Sequence, residues 1–192
     1  MALAGASKAG TDLRPLLDPC TGEHVLGLEP GTVRLREYTP LWAELFRVEA
    51  VELRDALGAL ALDIEHVGST AVPGLVAKPI LDIAVAIHSY DMVPLCATAL
   101  ARVGYQYAHW VELENDYTFE KGVERTHHVH LVEHGSRQWG DYLRFRDALR
   151  ANVELARDYE RTKIELGAKF CGDRAAYTRA KADFIRHVLS VT

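Results

Sequence analysis

The sequence has few cysteines and no long hydrophobic run. Its three cysteines, Cys20, Cys96 and Cys171, are far apart and form no CxxC pair, which argues against a disulfide framework and against a zinc site built on paired cysteines. No apolar stretch approaches the ~18 residues that suggest a membrane span, and the first residues lack the apolar segment of a secretory signal. We therefore expect a cytoplasmic protein without a membrane partner.

A large excess of one charge sign is also missing, because the formal net charge is -5 over 192 residues. Residues 1–135 hold 10 Lys and Arg against 19 Asp and Glu, whereas residues 136–192 hold 12 against 8. The negative total makes a nucleic-acid partner unlikely by charge. An acidic body facing a basic end suits a metal and a phosphorylated ligand, although solvated helices with i,i+4 ion pairs would give a similar distribution.

The length of 192 residues fits one domain. Residues 1–30 are rich in Gly, Pro, Thr and Asp without a sustained period, which predicts a flexible N-terminal arm that carries no chemistry. The domain then covers residues 31–192, and residues 136–192 form its C-terminal helical part. The number of copies in an assembly is not predicted by any pattern in the sequence.

Hydrophobic periodicity predicts an α/β (α+β) fold, in which a mixed β-sheet carries flanking helices and a C-terminal helical segment follows. Residues 80–87 alternate strictly, so that Asp82 interrupts an otherwise apolar central strand. Capping residues are expected at Asp91, Ser136, Asn152 and Asp173. The predicted helices cover residues 40–58, 91–104, 137–150, 153–170 and 174–190, and the predicted strands cover 60–67, 80–87, 116–121 and 125–133.

The segment IEHVGSTAVPGL at 64–75 carries the first chemical signal. A strand that runs into Gly68, Ser69 and Thr70 exposes backbone N–H groups and two hydroxyls without bulky side chains, which suits phosphate binding. A structural turn explains a Gly-Ser pair equally well. Glu65 and His66 lie beside the turn as candidate metal ligands, or as a hydrogen-bonded pair that fixes it.

Asp82 is the strongest single candidate, because a carboxylate on a central strand is costly to bury unless a metal or a cation pairs with it. Lys78 is a candidate for that pairing and for binding phosphate. The segment RTHHVHLVE at 125–133 adds histidines that suit a divalent cation or a substrate phosphate. His128 and His130 share one face, whereas Glu133 falls on the other unless the strand bends.

These segments resemble the GrpB family. The resemblance rests on IEHVGSTAVPGL at 64–75, KPILDI at 78–83, THHVHLVEHGS at 126–136 and LRFRD at 143–147, and it covers residues 32–190. The family is similar to the nucleotidyltransferase superfamily, in which a Gly-Ser turn and a strand with two carboxylates hold a metal-bound nucleoside triphosphate. The second carboxylate would fall at position 84, where this sequence has Ala84.

The resemblance implies a metal-dependent nucleotidyltransferase that uses Mg²⁺ or another divalent metal, takes ATP or another nucleoside triphosphate, and acts on a small-molecule acceptor. Asp82, Glu133 and His130 are its expected catalytic residues. Arg144 and Arg146 follow the histidine strand and are expected to bind phosphate, whereas Lys121 and Lys163 are expected to be solvated. The alternatives are a non-catalytic nucleotide- or metabolite-binding module and an assembly factor. The expected metal ligands are Asp82, Glu133, His128, His130, Glu65 and His66, and the expected phosphate ligands are Gly68, Ser69, Thr70, Lys78, Arg144 and Arg146.

Overall fold

A computed structural model of the protein describes residues 24–108 and 117–192, which contain a five-stranded mixed sheet with helices on both faces. The strand order is β1-β2-β5-β4-β3. The central pair, β2 and β5, is parallel, and the other neighbours are antiparallel. The strands are β1 Asp63–Val67, β2 Leu81–Ile87, β3 Tyr105–Tyr107, β4 Tyr117–Lys121 and β5 His127–Glu133.

The first face of the sheet is covered by α1 (Leu41–Leu57) and α2 (Val93–Arg102). The alternating residues Leu81, Ile83, Val85 and Ile87 of β2 are fully buried there, in the main hydrophobic core. Burial of each such side chain stabilises the fold by roughly 1.5–3 kcal/mol. The alternation in the sequence therefore separates the residues of this face from Asp82, Ala84 and Ala86 on the other.

The second face is covered by α3 (Arg137–Ala151), and α4 (Val153–Lys169) and α5 (Arg174–Val191) pack beside it. The side chains of Ser136, Asn152 and Asp173 accept hydrogen bonds from the backbone N–H groups of the first turns, so three of the four predicted caps are confirmed. Ala84 and Ala86 of β2 are fully buried against this layer. Small side chains at these positions leave room for α3 to approach the sheet.

Several boundaries differ from the prediction. The strand expected over 60–67 begins at Asp63, because a 3₁₀ turn at Gly58–Leu60 precedes it, and β3 was not predicted. Asp91 does not cap α2; Ser89 instead accepts a hydrogen bond from the Asp91 N–H at the start of a 3₁₀ turn. These connections depend on turn geometry that hydrophobic periodicity does not encode.

The predicted arm needs a correction at its end. Residues 1–23 lie outside the described residues, but Val25, Leu26 and Leu28 are buried, and the Trp42 indole donates a hydrogen bond to the Val25 carbonyl oxygen. Residues 24–30 therefore pack on the domain, because their apolar side chains complete its core. No helix in the described ranges is long and apolar enough to cross a membrane.

Candidate functional site

The turn after β1 passes directly over Asp82. Gly68 has φ +68°, and a Cβ atom at this position would lie 2.6 Å from Asp82 Oδ2, so a larger residue would collide with the carboxylate. Ser69, Thr70 and Ala71 form the 3₁₀ turn that follows. The glycine thus permits the backbone and the carboxylate to approach each other.

Asp82 and two histidines form a compact group on β2 and β5. The parallel register places Asp82 beside His128, and their Oδ1 and Nδ1 atoms lie 3.0 Å apart, whereas His130 Nε2 lies 3.6 Å from the same oxygen. Burial raises the pKa of Asp82, but hydrogen bonds from the two histidines outweigh it and hold the pKa well below its usual value. Asp82 is therefore a carboxylate at neutral pH. We call Asp82, His128 and His130 the Asp82 cluster.

The hydrogen bonds of His128 assign its protonation. Its Nε2 lies 3.3 Å from Arg174 Nη2, and a guanidinium only donates, so Nε2 accepts and the proton resides on Nδ1. Nδ1 then donates to Asp82. Burial also lowers the pKa of His128, which agrees with a neutral ring. In this arrangement His128 orients the Asp82 carboxylate, and it could bind a metal ion only by giving up one of these two hydrogen bonds.

His130 is arranged differently. Its Nδ1 lies 2.9 Å from the Thr118 hydroxyl, which fixes the ring and directs Nε2 towards Asp82. One ligand atom from each member of the Asp82 cluster lies within 4.8 Å of the others, a spacing that fits one divalent cation. Imidazole and carboxylate donors together suit Mn²⁺, Zn²⁺ or Fe²⁺ better than Mg²⁺, which prefers oxygen ligands.

A cavity of about 230 Å³ opens next to Asp82, between the sheet and the C-terminal helices. Four cationic side chains line it, against Asp82 as the only carboxylate among the described lining residues. Lys78 and Lys181 lie over the Tyr177 ring, with Nζ atoms 5.4 Å and 4.6 Å from its centroid. The cavity is therefore positively charged and suited to an anion. Its cations are Lys78, Lys163, Arg174 and Lys181.

The lysines of the cavity are buried and repel one another. Burial, followed by repulsion from Lys181, lowers the pKa of Lys163 to about 7. Burial also lowers the pKa of Lys181 to about 8, and it holds the pKa of Lys78 well below its usual value. Within the described residues, no carboxylate lies within ion-pair distance of these three lysines. A bound anion would relieve their repulsion.

A family model for the GrpB protein matches residues 32–190. The chain belongs to the GrpB family. It is 33% identical to the glutamate-rich protein GrpB of Alkalihalophilus pseudofirmus, over 86% of this chain and 99% of that protein. The crystal structure of the conserved protein GrpB from Enterococcus faecalis superposes with a TM-score of 0.75 at 34% identity, over 82% of this chain and 96% of that chain. The family expected from the signature segments is confirmed.

A further relative of this GrpB-family chain is the dephospho-CoA kinase of Mycobacterium bovis. The two are 29% identical over 77% of this chain, but the match covers only 43% of the kinase. The chain therefore spans less than half the length of that relative.

Three residues predicted for the site lie elsewhere in this GrpB-family fold. Glu133 is at the end of β5, where it pairs with Ile87. No bend turns its side chain inward, and it does not line the cavity. Glu65 binds Arg146, with Oε2 2.5 Å from Nη1. His66 stacks on Phe46 and shares a hydrogen bond with Thr70. Glu65 and His66 thus stabilise the region around the turn.

The predicted phosphate ligands Arg144 and Arg146 are also elsewhere. Arg144 is exposed and pairs with Asp141 one turn away, and Arg146 is buried between Glu65 and Asp147 while donating to the His66 carbonyl oxygen. Neither lines the cavity. Ser69, Thr70 and Lys78 do line it, although Lys78 makes no ion pair with Asp82 among the described residues.

The sequence did not predict that cations of α4 and α5 line the cavity. Lys163, expected to be solvated, is 1% exposed and donates to the Val76 carbonyl oxygen. One signal could have identified it: a Tyr precedes a Lys by four residues on both helices, at Tyr159 and Lys163 and at Tyr177 and Lys181. This spacing places each ammonium over its own tyrosine ring, 4.8 Å and 4.6 Å from the centroids.

Proposed function

We propose that the cavity binds a nucleoside triphosphate with a divalent cation and transfers its nucleotidyl group to a small-molecule acceptor. This proposal rests on one observation: the Asp82 cluster, with its carboxylate and imidazoles, lines the same cavity as four cationic side chains. The first suits a metal and the second suits phosphate. A nucleotide and a small molecule are therefore the proposed partners.

In the proposed reaction, an acceptor oxygen or nitrogen forms a bond to the α-phosphorus, the bond between that phosphorus and the bridging oxygen breaks, and pyrophosphate leaves. Lys163, Arg174 and Lys181 would neutralise the negative charge of the leaving pyrophosphate. The backbone N–H groups at Ser69 and Thr70 would orient the phosphates. Asp82 and His130 would hold a divalent cation, which neutralises phosphate charge when bound.

His128 would keep the Asp82 carboxylate in position through its Nδ1–H. His130 has a nitrogen within 3.6 Å of Asp82 and is suited either to bind the metal or to accept the acceptor's proton. His130→Ala separates these two roles. A metal ligand predicts weaker metal binding, whereas a proton acceptor predicts slower turnover with unchanged metal affinity.

Calorimetric titration of ATP, with and without Mg²⁺ or Mn²⁺, tests the proposal. We expect metal to strengthen ATP binding. In the presence of metal, the Asp82→Asn variant should bind ATP at least tenfold more weakly than the unsubstituted protein. Asp158→Asn is the matched control, because Asp158 is on the outer face of α4 and pairs with Arg161. Binding of ATP that does not depend on Asp82 would overturn the metal assignment.

A second candidate function is a nucleotide-binding module that does not transfer the nucleotidyl group. Ala84 favours it, because this residue is fully buried at the position where the superfamily has a second carboxylate. Pyrophosphate release in the presence of ATP, metal and a panel of hydroxyl and amine acceptors distinguishes the two. Release above the level of Asp82→Asn supports the transferase, and tight binding without release supports the module.

A further inference from the structure

Most polar groups around the cavity are of types that can donate a hydrogen bond to an anion. Its described wall combines the four cations with six hydroxyl groups. Phosphate oxygens only accept hydrogen bonds, so ammonium, guanidinium and hydroxyl groups complement a polyphosphate chain along its length. The hydroxyl groups belong to Ser69, Thr70, Thr118, Tyr142, Tyr177 and Thr178.

Recognition of a nucleobase needs different groups. A base presents donors and acceptors side by side, and proteins commonly read this pattern with the carboxamides of Asn and Gln or with a carboxylate. The described lining contains no Asn or Gln, and its carboxylate, Asp82, already accepts from His128. The pattern that would distinguish adenine from guanine, cytosine or uracil is therefore missing from the described wall.

The aromatic rings of the wall already have neighbours. Lys78 and Lys181 both lie over Tyr177, and the ring of Tyr142 is 5.3 Å from that of His130, centroid to centroid. The cavity volume of about 230 Å³ is also below the ~300–1,000 Å³ of ordinary small-molecule pockets. A phosphate chain fits this volume better than a complete nucleotide, whose nucleoside would extend towards the opening.

From this wall we infer that the site recognises the polyphosphate chain of its ligand and does not read the base. Nucleoside triphosphates with any base, and inorganic tripolyphosphate, are then equivalent ligands. The inference rests on the proposed nucleotide site. It differs from the proposed function because it concerns which part of the ligand supplies the affinity, whether or not transfer follows.

Competition calorimetry with ATP, GTP, CTP, UTP, tripolyphosphate and AMP, each with MnCl₂, tests this inference. We expect the four triphosphates and tripolyphosphate to bind within about threefold of one another, and AMP to bind at least tenfold more weakly. A tenfold preference for one base, or AMP binding as tightly as ATP, would overturn it while leaving the nucleotide site in place. If none of these ligands binds, the inference and the proposed function both fail.

The proposed function fails separately, when all triphosphates bind equally but no acceptor releases pyrophosphate.

Lys181→Met adds a test of the wall itself, because Met keeps the length of the side chain and removes its charge. We expect it to weaken ATP and tripolyphosphate by the same factor, about tenfold. Lys169→Met, at the exposed end of α4, is the control and should change neither affinity. Unequal losses for the two ligands would contradict the inference.

Discussion

His127 and His128 are adjacent on β5, but their side chains enter two buried polar clusters on opposite faces of the sheet. On the first face, Glu49 accepts hydrogen bonds from the Tyr105 hydroxyl at 2.8 Å and from the Lys121 ammonium at 2.9 Å, and His127 Nε2 lies 3.6 Å away. We call Glu49, Tyr105, Lys121 and His127 the Glu49 cluster. On the second face, His128 belongs to the Asp82 cluster.

The two clusters differ in what surrounds them. The Glu49 cluster matches its ammonium with carboxylates, since Lys121 also binds Glu52 at 2.7 Å, and none of its members lines the cavity beside Asp82. The Asp82 cluster opens onto a cavity whose described lining residues include four cations and one carboxylate. Burial of polar groups is common to both and therefore does not identify a functional site. The unbalanced charge next to a cavity is the feature that distinguishes the Asp82 cluster, and the proposed site rests on it.

The largest expected effect comes from opening the Glu49 cluster. Glu49→Gln removes a buried charge that partners Lys121, and breaking a buried ion pair costs about 3–5 kcal/mol. Because Lys121 retains Glu52, we expect a loss of about 2–4 kcal/mol in the free energy of urea unfolding. ATP affinity of the folded protein should not change.

Glu52→Gln is the control for this prediction, because Glu52 is 35% exposed and its ion pair should contribute about 1 kcal/mol or less. Equal losses for the two variants, or a lower ATP affinity in Glu49→Gln, would remove the distinction between the clusters.

The next effect concerns His66, below the turn that approaches Asp82. Burial lowers its pKa to about 4, so the folded state keeps the ring neutral while an unfolded His titrates near 6.5. Between pH 6.5 and 4 the unfolded chain binds more protons, and stability should fall with falling pH by up to about 3 kcal/mol. His66→Gln should lose this part of the slope. The free energy of urea unfolding is measured for both proteins at pH 7.5 and 4.5. The prediction is wrong if both proteins lose the same amount of stability between these pH values.

A smaller effect is expected at the turn itself. Gly68→Ala adds a Cβ atom that would lie 2.6 Å from Asp82 Oδ2, so the carboxylate must move. We expect a stability loss of about 1–3 kcal/mol and at least tenfold weaker metal-dependent ATP binding. Gly74→Ala is closely matched, since φ is +79° there but no atom lies within 4 Å of the added Cβ. It should cost about 1 kcal/mol and leave binding unchanged. Equal losses of binding would exclude the steric explanation.

The contiguous parts of the site could be predicted from the sequence. Gly68, Lys78 and Asp82 belong to one strand–turn–strand segment, so local pattern and the cost of burying a carboxylate identified them. The shared face of His128 and His130 followed from the two-residue period of a strand. The same period argued against Glu133, which the family resemblance had nevertheless included.

The remaining parts depend on tertiary packing. Lys163, Arg174 and Lys181 reach the cavity only because α4 and α5 pack beside α3, and no local pattern gives the position of one helix relative to a sheet. Arg146 was misassigned for the same reason: proximity in sequence to the histidine strand does not reveal that its guanidinium binds Glu65. Charge balance around each cluster becomes visible only after folding.

The smallest effect we predict is a pH dependence of ATP affinity in the absence of metal. Lys163 and Lys181 have pKa values of about 7 and 8, and they face Lys78, Arg174 and Asp82 across the cavity. Phosphate monoesters complete their second ionisation near pH 6, so the charge of ATP is almost constant between pH 7.5 and 9. Over that range Lys181 loses most of its charge, and Lys163, which is already largely neutral at pH 7.5, loses the remainder, so the cavity becomes less positive. Calorimetry should therefore find ATP binding weakened about three- to tenfold at pH 9, with most of this dependence removed in Lys181→Met.

In Glu49→Gln the dependence should persist, because the Glu49 cluster lies on the other face of the sheet. Affinity that stays constant or increases with pH would mean that these lysines do not contact the ligand.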